Sequence, residues 1–330
     1  MKVLFVASEA YPFIKTGGLG DVVYALPKAL RKLGIDARVI IPKYSSIPLS
    51  FKSCMENIAT FNVQVGYRSQ YCGLEHLIYE GVPYYFVDNE YYFKRPHIYG
   101  DYDDGERFSY FSKAVLESIK YMGNFKPDII HCNDWQSAVV PVLLKENYSE
   151  DDLYNKIKSV FTIHNLQYQG VFPKESLADL LNLDWKYFND DEMKFYEGIS
   201  FMKGGIVFSD AVTTVSNAYA KEIQTPFYGE KLDGLLSSKS ENIYGIVNGI
   251  DYELYNPKAD KKIFYNYDIK NIKQKVKNKL KLQEKLGFAI TEDIPMIGIV
   301  TRLVKQKGLD LIVEKLQELL SLPIQIVLLG

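Results

Sequence analysis

Lys15-Thr16-Gly17-Gly18-Leu19-Gly20-Asp21 sets a lysine, three glycines and an aspartate side by side. The apolar run Val3-Leu4-Phe5-Val6-Ala7 precedes it and reads as a buried strand. Val22, Ala25, Leu26, Ala29, Leu30 and Leu33 follow at helical spacing, up to Gly34. The pattern predicts a strand, a glycine loop and a helix. A helix start offers unpaired N–H groups and the positive end of the peptide dipole, which suits an anion. Glycines let the backbone approach a ligand closely, and Lys15 adds a mobile cation. The order differs from a P-loop, where lysine follows the glycines, and no G-x-G-x-x-G is present. Taken alone, the loop is either an anion site or a tight turn closing an ordinary βα unit.

Other polar residues stand just past predicted strands, where open α/β sheets hold ligands. Asn133-Asp134-Trp135 follows the strand from Pro127 to Cys132, and Asp134 reads as a ligand-side residue or as a helix cap. His164-Asn165 follows Val160 to Ile163. A lone histidine there is either structural or functional. Ser216 follows Ala211 to Val215 and caps Asn217 to Ile223, while Asn248-Gly249 follows Ile243 to Val247. Arg302 and Lys307 flank a loop after Met296 to Val300, where cations can meet phosphate oxygens. No carboxylate pair can be assigned as nucleophile and acid for double displacement.

These positions require strands alternating with helices, which argues a doubly wound parallel sheet. An antiparallel excursion interrupts it. Phe61, Val63, Val65 and Tyr67 alternate with Asn62, Gln64 and Gly66, and Gly73 to Tyr79 and Val82 to Val87 flank a turn at Glu80-Gly81. Asp88 to Asp104 reads as a polar aromatic loop, either suited to sugars and phosphates or simply anchored by its aromatics. Phe108, Phe111, Val115, Ile119 and Met122 then predict a helix. Tyr252 to Lys261 is a linker, and Asp268 to Leu286 a lysine-rich helix with one apolar face (Ile269, Ile272, Val276, Leu280). The strands Met296 to Val300 and Ile324 to Leu329, around the helix Leu309 to Leu320, are continuously apolar, which suits a sheet covered on both faces.

A length of 330 residues fits two domains, and 47% hydrophobic content supports a sizeable core. A net charge of -2 gives no basic footprint for nucleic acid. Cys54, Cys72 and Cys132 are scattered, against both a disulfide framework and a zinc site. No signal peptide or membrane-length apolar run is visible, so a cytoplasmic protein is expected.

The glycine loop, with Ser8-Glu9-Ala10-Tyr11-Pro12-Phe13 before it, resembles the amino-terminal signature of bacterial glycogen synthases and plant starch synthases. The resemblance continues in order through Phe161-Thr162-Ile163-His164-Asn165-Leu166, Tyr168-Gln169-Gly170, Val212-Thr213-Thr214-Val215-Ser216, Gly245 to Asp251, and Thr301 to Gly308. It implies a two-domain GT-B architecture: a doubly wound N-terminal, acceptor-side catalytic domain over 1–250, and a linker with an incomplete Rossmann-like nucleotide-sugar domain over 251–330. It also implies retaining transfer of glucose from ADP-glucose to the non-reducing end of an α-1,4-glucan, with no metal or other cofactor. By position, His164, Arg302 and Lys307 would be catalytic. Lys15, Gly18, Asp21, Asp134 and Asn248 would bind substrate. Asp21 would cap the first helix or hold Lys15 and the donor. Leaving-group stabilisation would require the two domains to close on the donor.

The family's later acidic motif and second Thr-Gly-Gly loop have no counterpart before Gly330. The chain is therefore expected to be a truncated form, deficient in transfer by itself, and ADP rests on the resemblance rather than on residues present. Two alternatives remain: another sugar-nucleotide transferase of this fold, and a non-catalytic glucan-binding fragment.

Overall fold

The structure, a computed structural model, describes residues 1–330. The chain divides into two compact units, Met1–Gly249 and Ile250–Gly330. The strands of the first are β1 (Lys2–Val6), β2 (Asp36–Pro42), β3 (Glu56–Val65), β4 (Arg68–Tyr79), β5 (Val82–Asp88), β6 (Ile129–Asn133), β7 (Lys158–Ile163), β8 (Val171–Pro173), β9 (Lys194–Phe195), β10 (Gly198–Ser200), β11 (Ala211–Thr214) and β12 (Ile243–Gly245). Nine of them form one sheet in the order β12-β11-β7-β6-β1-β2-β5-β4-β3. All neighbours from β12 to β5 are parallel, and β4 and β3 are antiparallel. From β1 the chain passes to β2, then to the edge strand β3 and inward through β4 to β5, before it returns beside β1 as β6 and runs outward on the other side through β7, β11 and β12. The crevice between β1 and β6 is thus the switch point where such sheets bind ligands.

Register sets the strand ends level. Val6 pairs with Cys132, Asn133 with Thr162, and Ile163 with Thr214. Helices Gly18–Lys32, Asp104–Ser118, Val139–Asn147 and Phe201–Phe208 accompany the sheet. Leu4, Val6, Ile130, Phe161 and Ile163 are fully buried. That is why these strands read as unbroken apolar runs rather than alternating ones. The excursion β3–β4 turns at Gly66, and β4–β5 at Glu80-Gly81, where both φ values are positive.

Several details depart from the sequence reading. The buried face of Gly18–Lys32 falls on Leu19, Val23, Tyr24 and Pro27, and Leu33 is exposed. Tyr24 moves the face, because its ring packs on Tyr11 while its hydroxyl donates to Glu80 at 2.7 Å. Tyr67 does not continue the inward face of Val63 and Val65. It sits exposed at the hairpin tip between β3 and β4. In Asp88 to Asp104, Glu90–Phe93 is a short helix, Tyr92 and Phe93 are buried, and Arg95 pairs with Asp103 at 2.7 Å. Its aromatics anchor the segment, as the plainer reading had it. The three-stranded sheet β8-β10-β9 gave no sequence signal.

The second unit, taken by itself, holds the helix Gln274–Leu286 and a parallel pair, β13 (Met296–Val300) and β14 (Gln325–Leu329), joined through short helices Leu309–Glu314 and Leu316–Leu320. Its only buried residues are Gln283 and Gln325. Gln283 Nε2 donates to Gln325 Oε1 at 2.7 Å, and Thr291 N–H donates to Gln283 Oε1 at 3.0 Å. The strands lack the two-sided cover that their apolar runs suit: Val300 is 79% exposed and Leu329 64%. Ile269 and Ile272, from the apolar face of the lysine-rich segment, are exposed as well.

Candidate functional site

The loop after β1 is held from within. Glu9, almost fully buried, accepts the Thr16 N–H at 2.5 Å and the Thr16 hydroxyl at 3.0 Å. The Tyr99 hydroxyl donates to the same carboxylate at 3.1 Å and lies 2.7 Å from Ser8 Oγ. This clamp fixes the chain immediately before the helix. Gly17 is the N-cap, extended at φ -157°, and no side chain caps the first-turn amides. They remain oriented donors at the positive end of a 15-residue helix.

The glycines there differ in kind. A Cβ at Gly17 or Gly18 would touch nothing within 4 Å, and neither residue has a positive φ. Neither internal packing nor backbone strain requires glycine at these two positions, so the open room over the amides is what they supply. Gly20 is different, since a Cβ there would come within 3.1 Å of Lys15 Cγ. Lys15 Nζ lies 2.7 and 2.6 Å from the two Asp21 carboxylate oxygens. Of the two readings of Asp21, the structure favours holding Lys15, because the cap position belongs to Gly17.

Across the switch point, Asp134 and His164 come together. Asp134 takes φ +55°, a left-handed position that a non-glycine residue adopts only under local constraint. Its N–H donates to Thr162 O at 3.0 Å, across to β7. Its Oδ1 accepts the backbone N–H groups of His164 at 2.8 Å and Asn165 at 3.3 Å. The side chain therefore does not cap the helical turn Trp135–Ser137 that follows. It shapes the His164 turn. Burial pushes the Asp134 carboxyl above its ordinary range, opposed by His164 and by the two amides. The His164 ring is fixed separately, with Nε2 2.9 Å from Asn133 Oδ1.

Beneath this turn, His131 Nε2 lies 2.6 Å from Thr162 Oγ1, which lies 2.6 Å from Thr213 Oγ1. Burial, with His164 nearby, drops the His131 pKa to about 3, so that ring is neutral at physiological pH. Ser216 caps the helix after β11 by accepting the Tyr219 N–H at 2.9 Å.

Asn248 is exposed beyond the end of β12 and forms no hydrogen bond with the His164 turn. In the second unit, Arg302 and Lys307 are exposed on the turn after β13, which ends at Gly308 with φ +68°. Sequence reasoning missed Glu9 and marked Asn133 only as a polar residue past its strand. The signal for Glu9 was the one used for Asp134, an acid just beyond an apolar strand. Asn133 stood in the Asn133-Asp134-Trp135 run beyond the predicted strand, but nothing there signalled its contact with His164, and the structure makes it the last residue of β6.

The starch synthase catalytic domain family matches residues 2–238. The chain is 62% identical to the glycogen synthase of Clostridium acetobutylicum and 58% identical to that of Caldicellulosiruptor saccharolyticus, in each case over 100% of this chain and 69% of the relative. Among solved structures, it resembles the catalytic domain of starch synthase IV from Arabidopsis thaliana bound to ADP and acarbose. That match has a TM-score of 0.91 and 35% identity, over 99% of this chain and 68% of that one. Sucrose-phosphate synthase from Thermosynechococcus elongatus, at TM-score 0.57 and 14% identity over 100% of this chain and 62% of that one, shares the fold alone. The sheet with its switch-point crevice, the glycine loop and the His164 turn therefore belong to a member of the glycogen synthase and starch synthase family of glycosyltransferases.

Proposed function

We propose that the chain carries retaining transfer of glucose from ADP-glucose to the non-reducing end of an α-1,4-glucan. The observation that carries this reading is the uncapped helix start at Gly17-Gly18, open above its amides and flanked by Lys15, on the same sheet edge as the Asp134–His164 turn. Such an edge can take a diphosphate at one side and a sugar at the other. The ligands bound to the Arabidopsis relative, ADP and acarbose, are a nucleoside diphosphate and an oligosaccharide analogue.

In this reading the acceptor's 4-hydroxyl oxygen bonds to the anomeric carbon as the bond from that carbon to the phosphate oxygen breaks. The acceptor's proton passes to the departing phosphate on the same face, and ADP leaves. Negative charge grows on that phosphate, so donors aimed there act mainly in the transition state. The Gly18 N–H and Lys15, held by Asp21, take that role, and the resemblance to the family gives the same role to Arg302 and Lys307. His164 serves the sugar, Asp134 holds its turn, and Asn248 binds substrate. No metal or other cofactor enters.

The test is incorporation of labelled glucose into glycogen from ADP-glucose and from UDP-glucose, beside the Clostridium acetobutylicum relative. Transfer from ADP-glucose is expected in a version extended through the later acidic motif and Thr-Gly-Gly loop, and little from the 330 residues alone, with His164→Ala in the extended version lowering turnover by ~100-fold or more at unchanged circular dichroism. Transfer by the extended version only from UDP-glucose, or none where the relative transfers, would overturn the donor assignment. Unchanged turnover in His164→Ala would overturn the role of His164.

A further inference from the structure

We propose that Asn133 is a positioning residue that fixes a hydrogen on His164 Nε2, so that Nδ1 is the nitrogen left to act as acceptor. The inference deepens, and rests on, the reading of His164 as a sugar-side group. It assigns that ring the task of accepting a hydrogen bond from a sugar hydroxyl rather than donating a proton.

The argument begins with the amide. Asn133 ends β6 and is 1% exposed. Its Nδ2 donates to Val6 O and to His131 O, both at 3.2 Å. Both amide hydrogens are thereby used. Flipping the amide would place its oxygen against those two carbonyls and leave acceptors facing acceptors. The orientation is therefore decided by its surroundings rather than by choice. Oδ1 must face His164 Nε2, 2.9 Å away. An amide oxygen only accepts, so Nε2 carries the hydrogen. In the neutral ring the lone pair is then on Nδ1.

The placement is rigid at both ends. The Asn133 N–H donates to Ser137 Oγ at 2.7 Å, and the Ser137 hydroxyl returns a bond to Asn133 O at 2.8 Å. The His164 backbone is held by Asp134 Oδ1. Val6 is the last residue of β1, so one side chain ties the carboxyl ends of β1, β6 and β7 around the crevice. A ring whose nitrogen is fixed this way needs no reorganisation when a hydroxyl arrives.

The chain has four histidines (His76, His97, His131 and His164), so a histidine-labelled sample gives few signals. The experiment is a long-range ¹H–¹⁵N correlation spectrum of the 330-residue chain at neutral pH, with His164→Gln identifying the His164 ring. The expected result is a protonated Nε2 and a bare Nδ1. In Asn133→Ala the two nitrogen shifts of His164 should move toward each other, as the tautomers mix. In Asn133→Asp they should move toward imidazolium values, because a carboxylate stabilises the charged ring. An Nδ1–H tautomer or an imidazolium in the unsubstituted chain overturns the proposal. So does an unshifted His164 spectrum in both folded variants. If neither variant folds, the unsubstituted spectrum still decides. No transfer is measured here, so a failed tautomer assignment is distinguishable from a failed role for His164, which the turnover of His164→Ala reports.

Discussion

Residues 1–249 and residues 250–330 are built from the same grammar, apolar strands alternating with helices, and reach opposite results. In the first unit, Leu4, Ile130, Phe161 and Val212 on neighbouring strands are fully buried. In the second, the strands β13 and β14 pair in register, yet Ile297, Val300, Leu328 and Leu329 stay exposed, and the buried side chains are two glutamines. Backbone pairing alone therefore does not make a core. A strand pair contributes stability when both of its faces are covered. Fully burying a side chain of phenylalanine size stabilises by about 1.5–3 kcal/mol, and a half-exposed one gives a fraction of that. The glutamines illustrate the difference. Their mutual hydrogen bonds satisfy them, but a satisfied polar pair adds only about 1 kcal/mol net per bond.

The largest expected effect follows directly. Residues 1–249 expressed alone should unfold in one cooperative transition, followed by circular dichroism in urea. Residues 250–330 alone should show no cooperative transition, since a two-stranded sheet without cover is marginal in water. A sharp transition in the shorter piece would break the comparison.

A second contrast concerns matched truncations. Phe161→Ala removes a fully buried ring that also packs against Gly205, where an added Cβ would already meet Phe161 Cζ at 2.9 Å. A loss of about 3–5 kcal/mol is expected. Leu316→Ala, at a side chain 39% exposed in the second unit, should cost less than about 1 kcal/mol. Comparable losses in denaturant midpoints would mean that the second unit has a core of its own.

The same contrast explains what could be read from the sequence. The parallel strands were legible because full burial leaves an unbroken apolar run, as in Val3 to Ala7. The turn at Glu80-Gly81 was legible through its residue chemistry. Tyr67 was misread because alternation continues into a hairpin tip, where nothing covers the ring. The strands β8, β9 and β10 are two or three residues long and too short to display any period. At the site, Asp134 and His164 announced themselves as polar residues beyond strand ends. Their contact did not, because it depends on the +55° φ of Asp134 and on strand register. What Asn133 does was hidden for a similar reason. Its task is defined by three strands meeting, and no local pattern contains that. The exposed faces of β13 and β14 were partly legible: their apolar runs suit a covered sheet, but two strands alone in residues 251–330 leave little to cover them.

The smallest effect sharpens the comparison most, because the local chemistry is alike and only the setting differs. Ser216 caps the helix Asn217–Glu222 by accepting the Tyr219 N–H at 2.9 Å. Asp268 caps the helical turn Ile269–Asn271 in a fuller way: its carboxylate accepts two backbone N–H groups, and Asn271 Oδ1 accepts the Asp268 N–H at 2.6 Å. Judged by local bonds alone, Asp268→Ala should cost as much as Ser216→Ala or more, about 1 kcal/mol. The two helices are anchored differently, however. The one after Ser216 carries buried Ala220, with Ile223 fully buried at its end, and Tyr219 reaches the His164 turn by accepting the Leu166 N–H at 3.2 Å. Loss of that cap is therefore felt by the cooperative unit. The turn after Asp268 begins with Ile269, 91% exposed, and can fray without disturbing a packed core. Ser216→Ala should shift the main urea transition of the whole chain by about 1 kcal/mol, whereas Asp268→Ala should leave it within about 0.3 kcal/mol and raise amide exchange only locally, at Lys270 and Asn271. Equal shifts in the main transition would show that residues 250–330 share the cooperativity of the first unit, and the contrast drawn from their exposed strands would then fail.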